Sequence, residues 1–374
     1  MKKTKAPPFI IIMADTTVVD RKDWLRERKK AVCSSDYPML VGLSNFGTAI
    51  DLYEDKIDPD KIESTIALRQ KFRFDFGHAI EPVVLNVVAE NIGAVGIIDK
   101  SMAESTLYPY MRNDCDGIFV MKSERVVQGV LFQKDAKILF ECKTVNHAAF
   151  KECRLNPKPD HVAQTKHGML VRGLEWGIIA YCKGNDLEND VVYHLVPLTK
   201  EDKKIIPLIC EEFFEGNVIP LVPPTRALGP NASEFKKALI RYCTRSGELP
   251  VAVLRLPGHT QTLFEQGLAI QEELSALNAQ VKAKEGERDK IHTEFIAMLG
   301  ETYQKGVLDS IYQTYEANLS TSSSPKMSSD SMARLKEEKP ELFEDLVKQG
   351  YITHSMRSTF KLKRIVKKSR TARK

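Results

Sequence analysis

Long apolar runs are missing from this sequence of 374 residues. The longest, FIIIM at 9–13 and WGIIAY at 176–181, fall far short of the roughly 20 residues that span a bilayer, so no membrane partner is expected. A CxxC pair is also missing: the seven cysteines, at positions 33, 115, 142, 153, 182, 210 and 243, are scattered and odd in number. That pattern speaks against a zinc ribbon or an iron–sulfur cluster and for reduced thiols in a cytoplasm. HExxH, GxxxxGK[ST] and a nucleophile elbow are absent too, which argues against zinc-protease, ATP-driven and serine-hydrolase chemistry. The opening MKKTKAPPFIIIMADTTVVD has the lysines of a secretory leader. Its apolar core is too short and an acidic, polar stretch follows, so secretion is not expected.

What is present suffices for a substantial core, since 43% of the residues are hydrophobic and the length fits one large domain or two. The net charge of +5 conceals an asymmetry. KLKRIVKKSRTARK at 361–374 holds eight Lys or Arg and no acid, so the rest of the chain carries about −3. Such a tail is either a contact for a polyanion or a solvated end.

Pattern divides the chain into three parts. In residues 1–225, DRKDWLRERKKAV reads as a helix ending at an SSD turn, and residues 36–57 as a helix kinked between Gly42 and Gly47. Ile80, Val83, Val84, Val87 and Val88 follow helical spacing over 76–91, with Pro82 acceptable only near the first turn. GIFVM, RVVQGVLF and KILFECKTV, at 117–121, 125–132 and 137–145, suggest an antiparallel meander. A helix over 160–172 and strands at 176–182 and 190–198 complete a mixed α/β domain. Residues 226–319 carry a heptad-like stripe, Ile270, Leu274, Leu277, Val281, Ile291, Phe295 and Met298, interrupted by Lys284 and Arg288. It predicts a helical hairpin or coiled coil, pairing within or between chains. Residues 320–374 read as a polar linker, a short helix and the basic tail.

Within that frame Glu141 and Lys143 are two residues apart on an apolar strand, which puts both on one face. Asp116 opens the 117–121 strand, and if the two strands are neighbours it approaches Glu141. Paired carboxylates repel, and a hard divalent cation such as Mg²⁺ relieves the repulsion. Lys143 would then offset charge on phosphorus or position a water. Glu81, read at the start of its helix, is a third carboxylate. Each residue alone has a plainer reading: a helix N-terminal charge for Glu81, a turn residue for Asp116, a surface ion pair for Glu141 and Lys143. His78, His161 and His167 lack zinc-ligand spacing.

The set Asp116, Glu141 and Lys143, with Glu81 on an earlier helix, resembles the PD-(D/E)xK nuclease superfamily. Its surroundings resemble one branch, the YqaJ-type phage and viral recombination nucleases related to lambda exonuclease. The likeness runs in order over roughly residues 20–225: Arg28 and Ser35 in the opening segment, TAIDLYEDKI, then Gly77, Glu81 and Pro82 in GHAIEPVVLNVVAENIG. Asp116 and Gly117 follow in RNDCDGIFV, Glu141 and Lys143 in LFECKTV, and Gln164 in HVAQTKHGMLVRGLEWGIIAYC. The resemblance implies a restriction-endonuclease-like core, a central mixed β-sheet flanked by helices, with the C-terminal helical region as an extension. It implies Mg²⁺-dependent hydrolysis, with Mn²⁺ as a substitute, of linear double-stranded DNA from an end, 5′ to 3′, in phage-type recombination. Asp116, Glu141 and the Cys142 carbonyl would hold metal, and Glu81 a second metal or its waters. Lys143 would stabilise the transition state, Gln164 would fix Lys143 or the water, and Arg28 and Ser35 would contact phosphate. A single-strand annealing protein, a homo-oligomer and a phage-encoded origin in a bacterial cytoplasm are implied likewise. The chain departs from its relatives at Lys166, where a second glutamine is common, and at Asp114, where a serine often meets a terminal phosphate; an acid there would repel it. The rival readings are a structure-specific endonuclease on the same core and a non-catalytic DNA-binding scaffold.

Overall fold

The protein is described from a computed structural model covering residues 7–58, 68–184, 186, 189–244, 257–258, 261–309, 314–325, 335, 337–348 and 354–365. It divides into two compact units, Met1–Val251 and Ala252–Lys374.

In chain order the first unit comprises β1 (Phe9–Met13), α1 (Arg21–Lys29), β2 (Val32–Cys33), α2 (Tyr37–Leu40), α3 (Ala49–Ile57), α4 (Leu68–Ile92), β3 (Ala94–Ile98), β4 (Met102–Ser105), β5 (Met111–Asp114) and β6 (Gly117–Met121). There follow β7 (Arg125–Val127), β8 (Val130–Phe132), β9 (Lys137–Thr144), α5 (His147–Cys153), α6 (Pro159–Arg172), β10 (Trp176–Cys182), β11 (Val191–Pro197), α7 (Asp202–Phe213) running into one π-helical turn, and α8 (Ala232–Thr244). The central sheet has the order β11-β10-β9-β6-β3. It is mixed: β9 and β10 are parallel, and the other neighbours antiparallel. A second sheet has the order β1-β4-β5-β2.

Strand alternation sends the two faces of β9 into separate cores. Ile138 and Phe140 join Val84, Leu85 and Val88 of α4. Leu139 joins Met169 and Leu170 of α6. Helices therefore cover both faces of a mixed sheet, which is the fold class expected. The α6 helix also meets β4 and β5 and so lies between the two sheets. Gly168 allows that approach, because a Cβ there would come within 2.8 Å of the Asn113 side-chain nitrogen.

Three elements differ from the sequence reading. The α4 helix begins by Leu68, so Pro82 sits in its interior and Glu81 is no first-turn residue. Pro82 forfeits one helical hydrogen bond, but the buried row Val84, Leu85, Val88, Ala89 and Ile92 holds the helix to the sheet. The expected middle strand at 125–132 is a separate hairpin of β7 and β8, and β6 pairs directly with β9. Gln128 and Gly129, at φ of 45° and 83°, turn that hairpin and break the apolar run. The 36–57 helix is two helices, α2 and α3. Thr48 caps α3, its hydroxyl accepting from the Asp51 N–H while Asp51 reaches back.

In the second unit the heptad region forms a single helix rather than a hairpin, α9 (Gln261–Leu299), 39 residues long. Ile270, Leu274, Leu277, Val281 and Ile291 on it are exposed. Beyond it come β12 (Lys305–Asp309), β13 (Thr314–Pro325), α10 (Pro340–Lys348) and β14 (His354–Ile365). The expected polar linker thus starts inside β13, and residues 361–365 of the basic tail belong to β14, paired with residues 314–318. The rest of the tail, 366–374, lies outside the described residues. No described helix is long and apolar enough to cross a membrane.

Candidate active site

The β6–β9 ladder ends at Gly117 opposite Phe140. Two residues beyond Phe140, the Cys142 N–H donates to Asp116 Oδ2 at 2.7 Å. Asp116 is thereby anchored beside Glu141 at the end of the sheet. Gly117 is required at this point, since a Cβ on it would lie 2.7 Å from the Ile97 carbonyl oxygen of β3.

Glu141 and Lys143 share the α6 face of β9, as their spacing predicts. Lys143 Nζ donates to Glu141 Oε1 at 2.8 Å and to Gln164 Oε1 at 3.0 Å, and Gln164 Nε2 donates to the same Glu141 oxygen at 2.6 Å. The three side chains close a triangle in which each fixes the other two. Glu141 is only 4% exposed. The Gln164 carbonyl has no charge of its own, so it orients the lysine without neutralising it. Burial works to lower the Lys143 pKa, but Glu141 and then Asp116 outweigh it and raise the value. Both acids therefore favour the ammonium form of Lys143.

Glu81 comes from α4 on the opposite face of the sheet. At Gly77, one turn earlier, α4 passes β9 in ordinary contact, an added Cβ lying 3.9 Å from Thr144 Oγ1. Burial, then Glu141, then Glu81 push the Asp116 carboxyl well above its usual range. The acids are thus close enough to oppose one another's ionisation. Sequence reasoning missed Lys100, in the β3–β4 connection, whose Nζ lies 2.5 Å from Glu81 Oε2. No motif or period links positions 81 and 100; only the fold does.

The donor set suits a hard divalent cation. It consists of carboxylates, and after burial it is Glu141 and Glu81 that raise the Asp116 pKa. Among the described residues no three His, Cys, Asp or Glu gather tightly enough to enclose a metal ion. Mg²⁺ does not demand that, because it keeps several waters and takes one or two carboxylates. His167 Nδ1 is 3.0 Å from Ser34 Oγ, and burial pushes its pKa down to about 3. His161 Nδ1 is 3.0 Å from the Tyr181 hydroxyl, and burial and then Lys143 push it down to about 4.

Arg28 and Ser35 meet next to this centre, with Arg28 Nη2 donating to Ser35 Oγ at 2.5 Å. Arg28 also stacks on Trp24, 4.8 Å from the ring centroid. Its Nη1 donates to Asp114 Oδ2 at 2.9 Å, and Asp36 stands 3.5 Å from Nη2. A carboxylate thus already fills one side of the guanidinium fork. Asp114 ends β5 two residues before Asp116, so the two centres share one loop.

The pKa of Asp116 yields a prediction about stability. Its folded value lies above its unfolded one, so ionisation opposes folding: the stability it contributes is complete below the ordinary carboxylate range and lost as pH rises through the folded value. Asp116→Asn should therefore raise the melting midpoint of the metal-free protein by about 2–4 °C at neutral pH, with the gap closing in acid. Melting curves in chelator between pH 4 and 8 test this; a variant that melts lower throughout would contradict it.

The region of this site is similar to known proteins. Residues 23–175 match the model of the YqaJ-like viral recombinase domain. The uncharacterized protein YqaJ of Bacillus subtilis (strain 168) is 23% identical over 282 residues, covering 74% of this chain and 79% of its own. Among solved structures, an alkaline exonuclease (LHK-Exo) from Laribacter hongkongensis matches at 14% identity and a TM-score of 0.39, covering 60% of this chain and 100% of its own. A phage-related exonuclease from Haemophilus somnus 129PT matches at 9% identity and a TM-score of 0.37, covering 51% and 96% respectively. The matched segment contains Glu81, Asp116, Glu141, Lys143 and Gln164, and it is similar to a YqaJ-like viral recombinase domain.

Proposed function

We propose that this protein is a divalent-metal-dependent deoxyribonuclease that digests one strand of linear duplex DNA from an end, 5′ to 3′, in phage-type recombination. The observation that carries the proposal is the closed triangle of Glu141, Lys143 and Gln164 beside the anchored carboxylate of Asp116. Asp116, Glu141 and the Cys142 carbonyl are the proposed ligands, Mg²⁺ or Mn²⁺ the proposed ion, and Glu81 serves a second ion or its waters. When bound, such an ion supplies a Lewis acid that polarises phosphoryl oxygen and makes water acidic enough to attack. Lys143 places its fixed positive charge where negative charge grows on the phosphate. Gln164 and Glu141 hold that ammonium in place, which spares the cost of ordering it during the reaction.

The Arg28–Asp114 pair shapes the reading of the DNA end. Arg28 and Ser35 are the proposed phosphate contacts, but a terminal phosphate has to displace the Asp114 carboxylate. Digestion is expected to proceed about equally from 5′-hydroxyl and 5′-phosphate ends. The tail at 361–374 and a single-strand annealing protein remain proposed partners of DNA and of this chain respectively.

The deciding experiment incubates end-labelled linear duplex and covalently closed circular DNA with the protein in Mg²⁺, in Mn²⁺ and in chelator. Loss of label from linear DNA with metal, and intact circles, is expected. Cleavage of circles would replace this reading with the endonuclease one, and metal-dependent binding without any cleavage with the scaffold. Asp114→Ser should shift the preference toward phosphorylated ends.

A further inference from the structure

Lys100 stands on the Glu81 side of the carboxylate cluster, opposite Lys143. The two lysines are held differently. Lys143 is spent on Glu141 and Gln164. Lys100 donates to Glu81 Oε2 at 2.5 Å, and an ammonium has three protons to give. Its side chain is 26% exposed, against 11% for that of Glu81. The lysine can therefore be reached from outside while its partner is nearly closed off. Burial lowers its pKa, and Glu81 and then Asp116 more than reverse this, so both acids sense its charge.

The loop bearing Lys100 is rigidly held. The residues on either side, Asp99 and Ser101, are both bound by the buried guanidinium of Arg172: Nη1 reaches Asp99 Oδ2 at 2.9 Å and Nη2 the Ser101 carbonyl at 2.8 Å. The Lys100 carbonyl accepts from the Thr16 N–H at 2.8 Å. Arg172 lies on α6, the helix that also carries Gln164. One helix thus sets both lysines, Lys143 through Gln164 and Lys100 through the clamped loop. A surface ion pair formed by chance would not have its backbone fixed on both sides.

We propose that Lys100 is a positioning residue that changes partner during binding: it neutralises Glu81 in the free protein, and passes to a phosphate oxygen of DNA when a divalent cation engages Glu81. This rests on the reading of the cluster as the metal site of a nuclease. A cation arriving on Glu81 repels the ammonium there, which, unlike Lys143, no glutamine holds in place, and bound DNA brings a phosphate oxygen to receive it. The exchange also keeps Glu81 from repelling DNA before metal arrives.

Two measurements on the full chain test it. In the first, Mn²⁺ binding is followed by the electron paramagnetic resonance of the free ion, without DNA. Because Lys100 competes with metal for Glu81, Lys100→Met should tighten Mn²⁺ binding about fivefold, the scale of a partly exposed ion pair. Lys100→Arg should leave it near wild type, and in a Glu81→Gln background Lys100→Met should have no effect. In the second, affinity for linear duplex is measured against salt with Ca²⁺ or with chelator. Lys100→Met should reduce the log–log slope by about 0.9, one phosphate contact, in Ca²⁺ alone. Mn²⁺ binding unchanged by Lys100→Met overturns the inference. So does a loss of slope that is the same with and without metal, since Lys100 would then be an ordinary phosphate contact. A wild-type protein that binds no Mn²⁺ overturns the metal-site reading and this inference with it.

Discussion

Glu141→Gln is expected to cut digestion of linear duplex by about a thousandfold or more, with little change in melting temperature. The magnitude follows from the number of roles one carboxylate fills. It is a proposed metal ligand, and its Oε1 accepts from both Lys143 and Gln164. The amide retains an acceptor oxygen of the same shape, so packing around this buried position survives. The negative charge does not, and with it go both the attraction for a cation and the main force keeping Lys143 charged and aimed. Removing a single preorganised electrostatic stabiliser of a transition state typically costs 10²–10³-fold, and Glu141 removes more than one. Lys143→Met should approach the same loss while still binding Mn²⁺, because the lysine is not a ligand. Gln164→Ala should lose less, since Glu141 still holds the ammonium. End-labelled duplex and Mn²⁺ titration of the three variants check the ordering. Digestion by Glu141→Gln at near wild-type rate would remove this triangle from the mechanism.

The parts of this site that the sequence made legible are those governed by local rules. Glu141 and Lys143 share a face because strands have a period of two, and Asp116 opens a strand because Asp-Gly precedes an apolar run. Gln164 lies on a helix whose start and end are marked by Pro159 and Gly173. Where local signals conflict with packing they mislead. Pro82 reads as a helix start, yet the apolar face of α4 carries the helix straight through it. The 125–132 segment has the composition of one strand, yet two residues with positive φ fold it into a hairpin away from the central sheet. Polar strands escape for the opposite reason: STSSSP in β13 has no apolar alternation, and its strand identity comes from pairing with residues 354–359 of β14. Lys100 and the Arg28–Asp114 pair belong to the same class. Each joins residues remote in sequence, and charge alone cannot say which acid a lysine or arginine will meet.

Arg172→Met is the substitution expected to damage the fold most, by about 3–5 kcal/mol. Arg172 is buried, its side chain 1% exposed, and its guanidinium is fully engaged. Nε donates to Asn113 Oδ1 at 2.9 Å, Nη1 to Asp99 Oδ2 at 2.9 Å and Ser101 Oγ at 3.1 Å, and Nη2 to the carbonyls of Ser101 and Asn113 at 2.8 and 3.3 Å. Phe9 of β1 covers it, 5.2 Å from ring centroid to guanidinium carbon. One side chain therefore ties α6 to β1, to β5 and to the β3–β4 loop. Methionine fills much of the volume but takes away the donors to Asp99 Oδ2, to Asn113 Oδ1 and to two carbonyls, and breaking a buried ion pair from one side costs about that much. Lysine does not rescue it, because a single ammonium cannot replace a planar fork serving five acceptors. The local damage has a functional signature that general destabilisation lacks. With Asp99 and Ser101 released, Lys100 loses its fixed aim at Glu81, whereas Gln164 sits two turns away toward the other end of α6. A milder variant, Ser101→Ala, removes one acceptor and keeps the rest. It should melt close to wild type yet shift Mn²⁺ affinity in the same direction as Lys100→Met. Chemical denaturation of Arg172→Met that falls within 1 kcal/mol of wild type would show that the buried fork is not what holds the two sheets around α6.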